Sequence, residues 1–297
     1  MIGSSFLIVS GFKNGYKEVT LETYALDTTS TTATWQRMDD LPVAGGITHS
    51  AHVVIGTKFY MCGGYVGSNP GSHIDNCLIF DKSKAPGTGQ WSSFAPLPSA
   101  RAGGGLVFDS SLNALFFSGG ARRDSGWESD KDYSNTWMYS FNKPSEGWIP
   151  KAPLPYLANH LSYTTANKDA TGKERHYFFG GQTAHNEANG NKSDLFEYDA
   201  ANDVWIKRTS LPIPRGHASS STRAIGCGFI VAGGCINGGN KITDVSYYDV
   251  PTDTWTKIGD LTDAINTPVC DISTSGVLYC ESGYAMGSYS KKRPIIV

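Results

Sequence analysis

Residues 177–217 read YFFGGQTAHNEANGNKSDLFEYDAANDVWIKRTSLPIPRGH, one full copy of a pattern that recurs along the chain. An apolar run ends in the pair Gly180-Gly181, and a polar stretch follows. A second run ends at Tyr198-Asp199, then Trp205 comes after a turn, with Leu211-Pro212 six residues on. Trp35, Trp91, Trp148, Trp205 and Trp255, spaced by 56, 57, 57 and 50 residues, are followed at the sixth residue by Leu41, Leu97, Leu154, Leu211 and Leu261. Pro follows the Leu in the first four copies and Thr262 in the fifth. Glycine pairs close apolar runs at Gly63-Gly64, Gly119-Gly120, Gly180-Gly181 and Gly233-Gly234, with degenerate copies ending at Gly11 and Gly283. The aromatic-plus-turn landmark recurs as Tyr24/Asp27, Phe80/Asp81, Phe141/Asn142, Tyr198/Asp199 and Tyr248/Asp249. Self-similarity in a fixed order marks a repeat architecture.

Each unit holds four short apolar or alternating runs bounded by Gly, Asn, Asp, Ser and Pro, and none has a sustained helical period, so the class is all-β. Glycine at a strand end permits close backbone approach. Tryptophan supplies a broad apolar surface between sheets, and Asp suits the tight turn into the last strand. These landmarks are structural residues.

The landmarks resemble the kelch repeat over residues 6 to 284. The resemblance implies a kelch-type β-propeller of four-stranded antiparallel blades, formed by residues 1–297 as a single domain. Six glycine-terminated runs favour six blades with an atypical closing blade, and the five Trp-bearing strands make five the alternative. Closure would draw on both ends of the chain, with Pro294–Val297 supplying a missing strand, such as the innermost strand of the first blade.

The 25 Lys+Arg against 27 Asp+Glu give a formal charge of −2, which argues against a nucleic-acid partner. No run approaches the length needed to span a bilayer, so no membrane association is expected. Six cysteines show no metal spacing. Cys270 and Cys280 flank a turn and could face each other on a hairpin, but small buried thiols are the favoured reading. The compartment expected is the cytoplasm.

With strands lettered a to d from the axis outward, antiparallel alternation sends the b–c and d–a connections to one face. The b–c loops are long and polar, as in YVGSNPGSHIDN, ARRDSGWESDKDYSN, QTAHNEANGNKSD and CINGGNKITD. Long loops on a rigid scaffold commonly carry binding groups, so this face is the expected working one. Four residues after the Leu, at the entry to strand a, stand Arg101 and Arg215, with Ala158 and Ile265 at the same place elsewhere. Two residues further are His160 and His217, with His49 equivalent after a short insertion. In kelch domains that dock peptides, arginines at this entry contact acidic partners, a role the resemblance carries to Arg101 and Arg215. The alternative is that these side chains bridge neighbouring blades. The 121–135 loop adds Arg122, Arg123 and Trp127, an aromatic beside charges of both signs that suits an interface anchor.

The expected function is a non-catalytic binding or scaffold module that recognises a protein partner, through an acidic segment, on the long-loop face. A sugar- or small-molecule-processing enzyme at the same entrance, of epimerase or oxidase type, is the alternative. Nucleophile-elbow, P-loop and H-E-x-x-H motifs are missing, so no catalytic residue, cofactor or resident metal is expected. Asn191-Lys192-Ser193 is a glycosylation sequon, meaningful only in a secreted protein.

Overall fold

The computed structural model describes all residues except 1, 3–4, 14–17, 30–33, 68–70, 125–129, 167–172, 185–189, 273–275, 282–294 and 297. The described residues form antiparallel sheets with two short 3-10 turns and no α-helix. The chain divides into two units, Met1–Gly103 and Gly104–Val297. None of the described helices is long and apolar enough to cross a membrane.

In the first unit, Ala51–Ile55, Lys58–Cys62, Cys77–Asp81 and Trp91–Phe94 pair in chain order as strands a to d of one sheet. A three-stranded sheet of Ser5–Lys13, Glu18–Asp27 and Gln36–Arg37 precedes it, corresponding to strands b, c and d. The polar residues after Cys62 fold as a small hairpin, Tyr65–Val66 with Ser72–His73, whose first strand pairs with Ile47–Thr48 from the d–a connection. The b–c and d–a connections therefore meet at one edge of the sheet, as alternation requires.

The second unit repeats the arrangement. One sheet contains Gly105–Asp109, Ala114–Ser118, Thr136–Ser140 and Trp148–Lys151; the next contains Ser162–Ala166, Arg175–Phe179, Leu195–Asp199 and Val204–Arg208. A third contains Thr222–Ile225, Gly228–Ala232, Asn240–Asp249 and Thr254–Ile265. Its last strand extends beyond Leu261-Thr262, where the other copies carry Leu-Pro, but the register is irregular there, with Asp244 opposite Asp260 and Ile242 opposite Ile265. Proline fixes its φ and has no N–H for a ladder, so Leu-Pro ends a strand; Thr262 carries neither restriction. The last sheet pairs Val269–Ile272 with Val277–Glu281, and Ile295–Ile296 then pairs with Val277–Glu281. The terminal segment thus takes the third place in this sheet rather than the innermost place in the first.

The landmarks build the seams between sheets. Trp205 Nε1 donates to the Ala152 carbonyl at 2.8 Å, and Trp255 Nε1 donates to Thr209 at 2.9 Å. In the first unit Trp91 Nε1 donates to Asp39 at 3.0 Å. Between the 162–208 and 222–265 sheets, Tyr177, Phe179, Leu195, Phe229, Val231 and Tyr248 form one buried cluster with Trp255 against it. Each large side chain buried there contributes roughly 1.5–3 kcal/mol. Leu97, Leu154 and Leu211 are each 2% exposed, which accounts for the fixed Trp-to-Leu interval.

Cysteines depart from the expectation of free thiols. Cys62 and Cys77 are directly opposed on neighbouring strands and disulfide-bonded, as are Cys270 and Cys280. The long b–c loop separates the first pair by 15 residues and conceals their apposition in the sequence. Cys227 and Cys235 are thiols.

Candidate functional site at the entrance to the inner strands

The residue four places after Leu97, Leu154, Leu211 and Leu261 does the same work with its backbone whatever its side chain. The second glycine of the preceding pair donates to it: Gly64 to Arg101 at 2.7 Å, Gly120 to Ala158 at 3.0 Å, Gly181 to Arg215 at 2.9 Å and Gly234 to Ile265 at 2.9 Å. The first glycine must also lack a side chain, since a β-carbon on Gly180 would lie 2.5 Å from the Arg215 carbonyl oxygen. Arginine, alanine and isoleucine are therefore equally serviceable here.

Both entry arginines lie inside the protein. Arg215 is fully buried, with Nη2 donating to Asp244 at 2.5 Å and Nη1 to the Gly233 carbonyl at 3.2 Å. Asp244 also accepts the Ser246 hydroxyl at 2.6 Å. Arg101 is 3% exposed, and its Nη1 donates to Ser99 Oγ at 3.0 Å and Ala100 O at 2.8 Å. Accessible cations stand instead on the 121–135 loop. Arg122, 36% exposed, pairs with Asp124 at 2.6 Å and lies over the Tyr133 ring; Arg123, 23% exposed, pairs with Asp130 at 3.1 Å. Arg122 and the Tyr133 hydroxyl hold the Asp124 carboxyl down at about 2. Trp127 lies outside the described residues.

Six places after Leu97, Leu154 and Leu211 the backbone is left-handed. His160 has φ 50° and His217 φ 60°, while Gly103 holds the matching place in another repeat with φ 66°. This region is uncommon for residues other than glycine and marks locally stored strain. The His160 and His217 rings face each other, with centroids 4.1 Å apart and planes inclined by 39°. In the first unit His49 also has a positive φ of 58°. Its Nδ1 lies 2.9 Å from Thr48 Oγ1, and its ring meets Tyr65 edge-on at 5.0 Å.

Sequence reasoning missed the polar groups around His160. Asn159 Nδ2 donates to Asp132 Oδ1 at 2.5 Å, Asn159 Oδ1 meets His160 Nδ1, and the Ala184 amide donates to Asp132 Oδ2 at 2.8 Å. Burial pushes the Asp132 carboxyl above its ordinary range despite these donors. Gln182 forms backbone bridges with both Asn159 and Asn191. The side-chain amides of Gln182 and Asn191, 0% and 9% exposed, have no hydrogen-bond partner among the described residues. Asn191, the acceptor of the sequon, is thus a buried residue. One readable signal existed: Gln182 follows a glycine pair, where Tyr65, Ala121 and Cys235 stand in the other copies.

Comparison with known proteins agrees with this architecture. No curated protein matches the sequence. A solved structure described as "Structure of YjhT" superposes with a TM-score of 0.71 at 16% identity, covering 99% of this chain and 92% of that one. At that identity the likeness shows a shared fold. Residues 48–288 match the model of the KLHDC2/KLHL20/DRC7 Kelch-repeats domain, a kind of domain that commonly serves as a protein-interaction module. The chain therefore belongs to this kelch-repeat family and has the kelch-type β-propeller fold.

Proposed function

We propose that the protein is a non-catalytic binding module that recognises a protein partner through the edge where the b–c and d–a loops meet. The observation that carries this reading is the knitting of those loops into ordered structure. Ile47–Thr48 pairs with Tyr65–Val66 in one unit, and Asn159, Gln182 and Asn191 are bridged in the other. Loops held by backbone pairing lose less entropy on binding than free ones. With Arg101 and Arg215 buried, contact with an acidic segment falls to Arg122 and Arg123, whose aspartate partners give the mixed polar rim usual in such surfaces. The two disulfides favour an oxidising compartment over the cytoplasm expected from the sequence.

Affinity capture with the wild-type chain and with Arg122→Glu/Arg123→Glu tests the reading. The double variant should lose at least ~5-fold of partner recovery, about 1 kcal/mol. Because Arg123→Glu sets a carboxylate beside the buried Asp130, circular dichroism checks that it still folds. Arg122→Glu alone, at an exposed pair, should lower recovery with little change in melting temperature. Equal recovery by both chains would remove the role of this loop.

A further inference from the structure

We propose that His160 and His217 are ligands of a divalent first-row transition metal, with Zn2+ the reference ion. This site is independent of the partner-docking reading. The two residues occupy equivalent places in consecutive repeats, 57 residues apart, so their juxtaposition comes from the fold and no local motif announces it. Both rings are buried, with centroids 4.1 Å apart and metal-binding nitrogens within 4.8 Å of each other. Two nitrogens at about 2.0–2.1 Å from one ion lie roughly 3.3 Å apart in tetrahedral geometry, a separation reachable by small ring rotations. Strained backbone persists at both histidines, where glycine at the matching place of another repeat adopts the same conformation without a side chain to position.

The hydrogen-bond chain behind His160 supplies the second argument. A carboxylate only accepts, so Asn159 must turn its NH2 to Asp132, and its Oδ1 then accepts the Nδ1–H of His160. That order fixes the tautomer and leaves the lone pair on Nε2, the arrangement in which metal-binding histidines are commonly held by an outer carboxylate. Asp132 and Asn159 are positioning residues here.

Close to His217, the Asn191 and Gln182 amide oxygens lie 3.1 and 3.6 Å from where a β-carbon on Gly216 would sit. Buried amides with no partner among the described residues are costly unless something occupies the space beside them. Waters completing the coordination of a two-imidazole ion would serve. Neutral imidazole suits zinc, copper and nickel over calcium or magnesium, which take oxygen ligands.

The test uses the full chain, stripped with chelator and titrated with ZnCl2 by calorimetry, with Co2+ ligand-field absorption as a second readout. One equivalent should bind. His160→Asn and His217→Asn, chosen because asparagine tolerates the left-handed backbone, should each weaken binding at least tenfold and shift the Co2+ spectrum. Asp132→Asn should weaken it by about 10- to 100-fold, as loss of an outer-shell partner does. Circular dichroism melts confirm that the variants fold. No stoichiometric binding, or binding and a Co2+ spectrum unchanged in both histidine variants, would overturn the proposal.

Discussion

Within the Gly104–Val297 unit the two edges of the sheets treat buried polar groups in opposite ways. At the edge of tight turns Asp109, Asp203 and Asp253 are well supplied with donors. Asp109 is held at about 2: burial opposes ionisation, but His176, Ser111 and the Leu112 amide outweigh it. Asp203 and Asp253 are likewise held low against burial, by the Tyr198 and Tyr248 hydroxyls and by the Ala152 and Thr209 amides. At the loop edge the Asp132 carboxyl is pushed up, two amides lack partners among the described residues, and two histidines sit in left-handed backbone. The turn edge is arranged for stability. The loop edge retains groups that stability alone would have removed, as expected where a protein binds something.

Three perturbations test that contrast. The largest effect is expected at Arg215, the loop-edge residue that behaves like the turn edge. Arg215→Ala strands Asp244 in the interior and should cost about 3–5 kcal/mol in urea unfolding, much of it recovered in Arg215→Met/Asp244→Leu. A loss below 1 kcal/mol would show that Asp244 finds water instead.

Next comes Asp109, which is nearly inaccessible. Its folded pKa lies below the ordinary value, so its contribution is present above about pH 4–5 and is lost as pH falls towards 2. The shift amounts to about 2 kcal/mol. Asp109→Asn should be less stable by that amount at neutral pH and converge with wild type near pH 2, measured by denaturation at a series of pH values. The smallest effect is expected for Gln182→Leu, neutral to about 1 kcal/mol stabilising because a buried unpaired amide is removed. Marked destabilisation would mean that Gln182 belongs with the supporting framework.

The turn edge and the seams were legible from sequence because local chemistry builds them. Trp205, Tyr198, Asp203 and Leu211 lie within one repeat, and each contact recurs in the next copy. The loop edge was only partly legible. Arg101 and Arg215 looked like ligands for a carboxylate, but burial and Asp244 are properties of packing that spacing does not report. Asp132, Asn159, Gln182 and Asn191 come from different places in the repeat and carry no shared signature. The Cys62–Cys77 bond was hidden by the loop between its partners, although strand register makes them direct neighbours. A strand within Pro294–Val297 was expected and Ile295–Ile296 forms one, but no repeat landmark there told which sheet it joins.

The tie between a glycine amide and the carbonyl of the entry residue has an evolutionary consequence. Because the bond there is made by main chain alone, a change of the buried side chain at Ala158 or Ile265 repacks the interior locally without untying the glycine from the entry residue. Each copy therefore offers selection a site that can vary on its own, limited by the space available to its side chain. Interior packing can diverge one repeat at a time while the scaffold is inherited intact.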